Sequence, residues 1–166
     1  MMIDVRNIRE VKYDDYDEVW ACVRSLKNPE LASKVKQVAE LSPSQYLFHL
    51  YLETKRARSF NQKWFNEVYV PQFLKEMHYP EAKQKLNELF VADRAGKRIC
   101  ICCFCEEEEL CHRSILAGLL QGCGCNVTGV KHDYSAYFLE YRIARNQQPV
   151  PVTQKTSVQP MPAVGR

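Results

Sequence analysis

Residues 98–126 read RICICCFCEEEELCHRSILAGLLQGCGCN. The apolar run at 99–105 is short, holds two Ile and a Phe, and shows no polar alternation, so it predicts a strand buried on both faces, as in a parallel sheet. Glu106 to Glu109 follow as an acidic turn, and Cys111-His112-Arg113 opens an amphipathic segment that closes at Gly122. The order is strand, loop, helix, turn. In an open parallel sheet this kind of loop lies at the carboxyl ends of the strands, where such folds bind ligands. The helix that follows aims free backbone N–H groups and its positive dipole end into the same crevice.

Working outward, the apolar run 19–23 predicts the first parallel strand, which puts Arg24 and Ser25 at its carboxyl end beside the central loop. Residues 1–17, rich in Asp, Tyr and Arg, predict a leading arm or a short edge element. In 28–41, Leu31, Val35, Val38 and Leu41 suit a helix, whereas 35–39 can alternate as a strand; the strand is preferred. Ser42-Pro43-Ser44-Gln45 offers an N-cap Ser, Pro at the first helical position and Gln at the third, predicting a helix to about Lys55 with Ser42 and Ser44 both serving as caps. An aromatic helix runs from about Gln62 to Phe73, with Pro71 placed to kink or break it. Another starts at Pro80 and stops at Gly96. Beyond Gly122, 125–130 predicts a further strand, and Tyr134, Tyr137, Phe138 and Tyr141 mark a last amphipathic helix. From Asn146 the chain turns Pro- and Gln-rich, which predicts a flexible or extended tail.

The expected architecture is a single α/β domain over 1–145, with a Rossmann-like, mostly parallel sheet, helices on both faces and a tail at 146–166. A chain of 166 residues with 46% hydrophobic content can bury one core of this kind. No apolar segment approaches a membrane span and the first residues do not resemble a signal peptide, so the expectation is a cytoplasmic protein without a membrane partner. Seven of the eight cysteines fall between Cys100 and Cys125. In a reducing compartment they read as small buried hydrophobes rather than a disulfide framework. A net charge of +3, from 23 basic and 20 acidic residues, argues against nucleic acid as the main partner. The cluster Lys55-Arg56-Ala57-Arg58 reads as the solvated end of a helix.

The Cys-rich strand, the acidic loop, Cys-His-Arg, the Ser-Ile-Leu-Ala-Gly-Leu-Leu that follows and the Gly-rich turn resemble the family called domain of unknown function 488. Upstream, Val19-Trp20-Ala21-Cys22-Val23-Arg24-Ser25, Leu41-Ser42-Pro43-Ser44 and Phe65-Asn66-Glu67-Val68-Tyr69-Val70-Pro71 resemble its bacterial and phage branch. The resemblance spans roughly residues 18–130. It implies an intracellular Rossmann-like fold and no particular reaction. In a phage-type relative, one use of such a cleft is sequestration of a signalling nucleotide.

Three chemistries fit the central loop. An Arg in the first turn of a helix suits phosphate or carboxylate, and Arg24 can close on the same group from the neighbouring strand. This predicts a small nucleotide-derived or phosphate-bearing ligand held by Arg24, Ser25, Cys111, His112 and Arg113, with the four Glu facing away or with one of them, such as Glu107, taking sugar hydroxyls or acting as a base. A hydrolase or transferase acting on a nucleotide or glycosidic bond would use Glu107 or Cys111, the latter as a thiol activated by the helix start. The Cys-x5-Arg spacing of phosphatases is absent, because Cys111 stands six after Cys105 and Ala117 six after Cys111. The third chemistry is a Cys/His metal site drawing on Cys102, Cys105, Cys111 and His112. Cys102 and Cys105, three apart in a strand, point to opposite faces, so no metal ligands and no cofactor are assigned. A tail wrapped on a neighbour would make a homo-oligomer.

Overall fold

In the computed structural model, which describes residues 2–145, the expected tail at 146–166 lies outside the described residues. The strands are β1 (Met2–Asn7), β2 (Glu18–Ala21), β3 (Lys36–Gln37), β4 (Arg98–Cys103) and β5 (Val127–Thr128). All pair in parallel, in the order β3-β2-β4-β1-β5. β4 is central. Ile99 and Ile101 enter one core and Cys100 and Cys102 the other, so neither face of the strand meets water and no polar alternation is needed.

The helices are α1 (Pro29–Lys34), α2 (Gln45–Arg56), α3 (Gln62–Trp64), α4 (Val70–Glu76), α5 (Pro80–Arg94), α6 (His112–Gly122) and α7 (Ala136–Ala144). One face of the sheet carries Leu47, Phe65, Phe73, Leu89, Ile115 and Leu116 from the connections that step toward β5. The other is covered by Ile8, Val11, Tyr13, Tyr16 and Leu31, from the connections that step toward β3. Direction and face change together, as they must when every crossover has the same hand. Helical cover is therefore uneven: α1 and two short 3-10 turns serve the second face. Among the described residues no helix is long and apolar enough to cross a membrane.

Three local expectations are corrected. β1 is neither an arm nor an edge, because it lies between β4 and β5. Its Ile3 and Val5 enter the main core, while its charge is absorbed on the other face, where Asp4 accepts from Arg6 Nε at 2.9 Å, from Thr128 Oγ1 at 3.1 Å and from the Tyr16 hydroxyl. The N-cap of α2 is Ser44, whose hydroxyl accepts from Leu47 N–H, with Pro43 ahead of the helix. The capping partner is Glu76 from α4, which accepts the Ser44 N–H at 2.8 Å, rather than a local Gln. Pro71 does not break its helix. A π-turn at Phe65–Tyr69 joins α3 to α4, and its wider ring relieves the carbonyl that the proline would otherwise meet.

The ambiguous 28–41 segment divides between both of its readings. Asn28 caps α1, and β3 follows within the expected 35–39 window.

Candidate functional site

β2 sends its continuation over one face and β4 over the other, which opens a crevice between their carboxyl ends. A cavity of about 250 Å³ lies there. Cys22, Val23, Arg24 and Ser25, following β2, form one side, and Cys103, Phe104 and Cys105 at the end of β4 form the other. The start of α6 contributes Cys111 and His112, and Phe48, Tyr51 and Tyr69 supply an aromatic wall. Arg24 is held at the rim by a 2.9 Å bond from Nη1 to the Pro43 carbonyl. A ladder of rings, Phe65, Tyr69 and Phe73, with centroids 5.0 and 6.1 Å apart, ends 5.6 Å from the His112 imidazole.

At the crevice floor, Cys103 at the end of β4 and Cys105 two residues beyond it both bring their sulfurs to the N-terminus of α6. Cys103 Sγ and Cys111 Sγ are 3.1 Å apart, and Cys111 Sγ lies 3.7 Å from His112 Nδ1. The donor atoms of Cys103, Cys105, Cys111 and His112 all fall within 4.8 Å of one another. His112 Nε2 sits 2.8 Å from the Cys22 carbonyl oxygen. A carbonyl only accepts, so Nε2 carries the proton and Nδ1 presents its lone pair to the sulfurs. Cys111 caps α6, its Sγ accepting the Arg113 N–H at 3.5 Å. All eight cysteines are free thiols.

The three thiols differ. Burial, aided by its hydrogen bonds to Cys103 and Cys105, pushes the Cys111 thiol well up. That is the reverse of the activated thiol expected there: with Cys111 only 1% exposed, desolvation outweighs the helix dipole. The bond to Cys105 pushes Cys103 up to about 12. Cys105 goes the other way, because hydrogen bonds from Cys103 and Cys111 favour its thiolate.

Of the expected site residues, Arg24, Ser25, Cys111 and His112 line the crevice, whereas Arg113 and Glu107 are not among its lining residues. Arg113 is 5% exposed; its Nη2 reaches the Glu106 carbonyl at 3.5 Å, and its Nε and Nη1 have no hydrogen-bond partner among the described residues. The acidic loop turns away from the cavity. Glu106 pairs with Arg9, Glu109 with His132, and buried Glu108 accepts the Lys131 N–H and the Tyr134 hydroxyl, each at 2.8 Å. Asn7 Nδ2 ties the start of this loop to β1 by a 3.2 Å bond to the Cys105 carbonyl.

Sequence reading missed Cys103. Cys102 does face away from Cys105, into the opposite core, as the three-residue spacing requires. The available signal was the two-residue spacing of Cys103 and Cys105. The aromatic wall of Phe48, Tyr51 and Tyr69 gave no local signal, since at helical spacing these residues look like ordinary core.

Residues 3–124 match the family described as DUF488-N3a, the active DUF488-N3 subclade. Neither a curated protein nor a solved structure gives a significant match.

Proposed function

This chain belongs to the DUF488-N3a family, the active DUF488-N3 subclade, and from that premise we propose that the crevice between β2 and β4 binds a small nucleotide-derived, phosphate-bearing metabolite. One observation carries the proposal: an aromatic wall (Phe48, Tyr51, Tyr69) faces a cationic, hydroxyl-bearing rim (Arg24, Ser25) across a cavity at the switch point of a parallel sheet. Rings stack on rings, and a guanidinium with a neighbouring hydroxyl grips phosphate oxygens. At about 250 Å³ the space suits a ligand of roughly nucleoside size. The acidic loop does not oppose an anion there: Glu106, Glu108 and Glu109 pair elsewhere, and none of the four carboxylates lines the cavity. Sequestration needs only affinity and burial.

A catalytic version of the same site is favoured by the family's description as the active subclade. Turnover separates the two.

The test is native mass spectrometry of freshly purified protein, followed by denaturation and identification of what is released. A phosphate-bearing, ring-containing adduct that disappears in Arg24→Ala supports the proposal; release of the compound unchanged after incubation indicates sequestration, and conversion indicates an enzyme. An adduct retained undiminished by Arg24→Ala, or no affinity for any member of a nucleotide panel, overturns it.

A further inference from the structure

We propose that Cys103, Cys105, Cys111 and His112 together form a four-ligand site for a zinc-class divalent cation at the floor of the crevice.

The geometry is near that of a tetrahedral site. With Zn–S near 2.3 Å and Zn–N near 2.0–2.1 Å, tetrahedral ligand atoms stand roughly 3.5–3.8 Å apart. Here the four donors lie within 4.8 Å of one another. Cys111 Sγ and His112 Nδ1, at 3.7 Å, already have that separation. Cys103 Sγ and Cys111 Sγ, at 3.1 Å, must open by about 0.7 Å to reach it. Small side-chain rotations are enough.

The surroundings of the ligands provide a second, independent observation. A metal-binding histidine donates its other ring N–H to a carboxylate or a backbone carbonyl, which fixes the tautomer. The Cys22 carbonyl, 2.8 Å from Nε2, does this for His112 and leaves Nδ1 free on the side of the sulfurs. The Arg113 N–H, directed at Cys111 Sγ, and the dipole of α6 both favour negative charge on that sulfur.

The donor set selects the ion. Magnesium and calcium take oxygen ligands, whereas three sulfurs and an imidazole in tetrahedral array suit zinc, which has no redox chemistry of its own. Binding displaces the thiol protons to solvent and leaves the thiolates on the metal. Four protein ligands fill the tetrahedron, so the ion would pin the end of β4 and its loop to the start of α6. This inference is independent of the organic ligand proposed above, because it is tested with metal alone.

The full chain, reduced and stripped by chelator, is titrated with cobalt(II). The expected result is one equivalent bound, with the intense visible bands and the sulfur-to-metal charge transfer of tetrahedral thiolate cobalt, both bleached by one equivalent of zinc. Cys105→Ser, which alters the least buried ligand, should weaken zinc binding at least 10-fold or so, since disturbing even an outer-shell partner costs that much. Cys123→Ser, exposed and outside the cluster, should change nothing. Arg24→Ala should leave the cobalt spectrum intact whatever it does to nucleotide binding. A folded, reduced protein that shows no thiolate–cobalt bands overturns the inference, as does a weak octahedral spectrum or a signal undiminished in Cys105→Ser.

Discussion

His112 Nε2 lies 2.8 Å from the carbonyl oxygen of Cys22, so the first residue of α6 is bonded to the chain just beyond β2, across the mouth of the sheet. This bond sets the imidazole's tautomer and closes the crevice floor. Both partners are buried. Replacing His112 by Phe keeps a ring of similar shape and removes the donor, which leaves a buried carbonyl unsatisfied. Urea unfolding of the reduced, metal-free protein should show a loss of about 1–3 kcal/mol. Unchanged stability would mean that the carbonyl finds another donor and that the tautomer is not set in this way.

Gly118 decides how closely α7 can approach α6. A Cβ there would stand 2.1 Å from the Tyr134 carbonyl oxygen, a backbone atom that cannot rotate away. Gly118→Ala should therefore cost about 1–3 kcal/mol through overpacking, although alanine is the better helix former. Calorimetry reads the change. A variant as stable as the parent would show that α7 shifts freely, and the close approach of Tyr134 to Gly118 would not hold.

The strand, loop and helix from 98 to 122 were legible because burial on both faces and the Cys-His-Arg helix start leave local marks. The place of Arg24 and Ser25 followed from strand polarity, and the family resemblance marked them as site residues. β1 was not legible: Asp4 and Arg6 look solvated in sequence, whereas they pair with each other and the remaining donors to Asp4, Tyr16 and Thr128, come from other segments. Which of Ser42 and Ser44 caps α2 was not legible for the same reason, since Glu76 arrives from another helix. Arg113 shows the limit in the other direction. Its motif promised a guanidinium open to the crevice, yet depth in the fold depends on how the 104–110 loop packs, which no local pattern encodes.

That burial makes Arg113→Met informative. Two guanidinium nitrogens have no hydrogen-bond partner among the described residues and the third bond is long, at 3.5 Å, so the folded protein bears a desolvation penalty that methionine would remove. The variant should gain about 1–3 kcal/mol in denaturant unfolding. A loss of similar size would instead mean that the charge is matched in solution by a bound anion. Measuring both proteins with and without added inorganic phosphate tells the two cases apart.

Asp4 should govern the acid limb of stability. Burial alone would raise its pKa, but hydrogen bonds from Tyr16 and Arg6, the Arg6 charge and the Thr128 hydroxyl outweigh it and hold the carboxyl below its ordinary 3.8. A folded-state value below the unfolded one contributes stability above the unfolded pKa, and that contribution fades as pH falls through the folded value. Wild type should therefore lose this part of its stability below about pH 4. Asp4→Asn, with no proton to gain, should be less stable at neutral pH and should approach wild type as acid is added. Chemical unfolding at a series of pH values gives both curves. If their separation stays constant from neutral pH into the acid limb, Asp4 is not linked to folding through its charge, and the network joining β1 to Tyr16 and β5 would have to stabilise the sheet by shape alone.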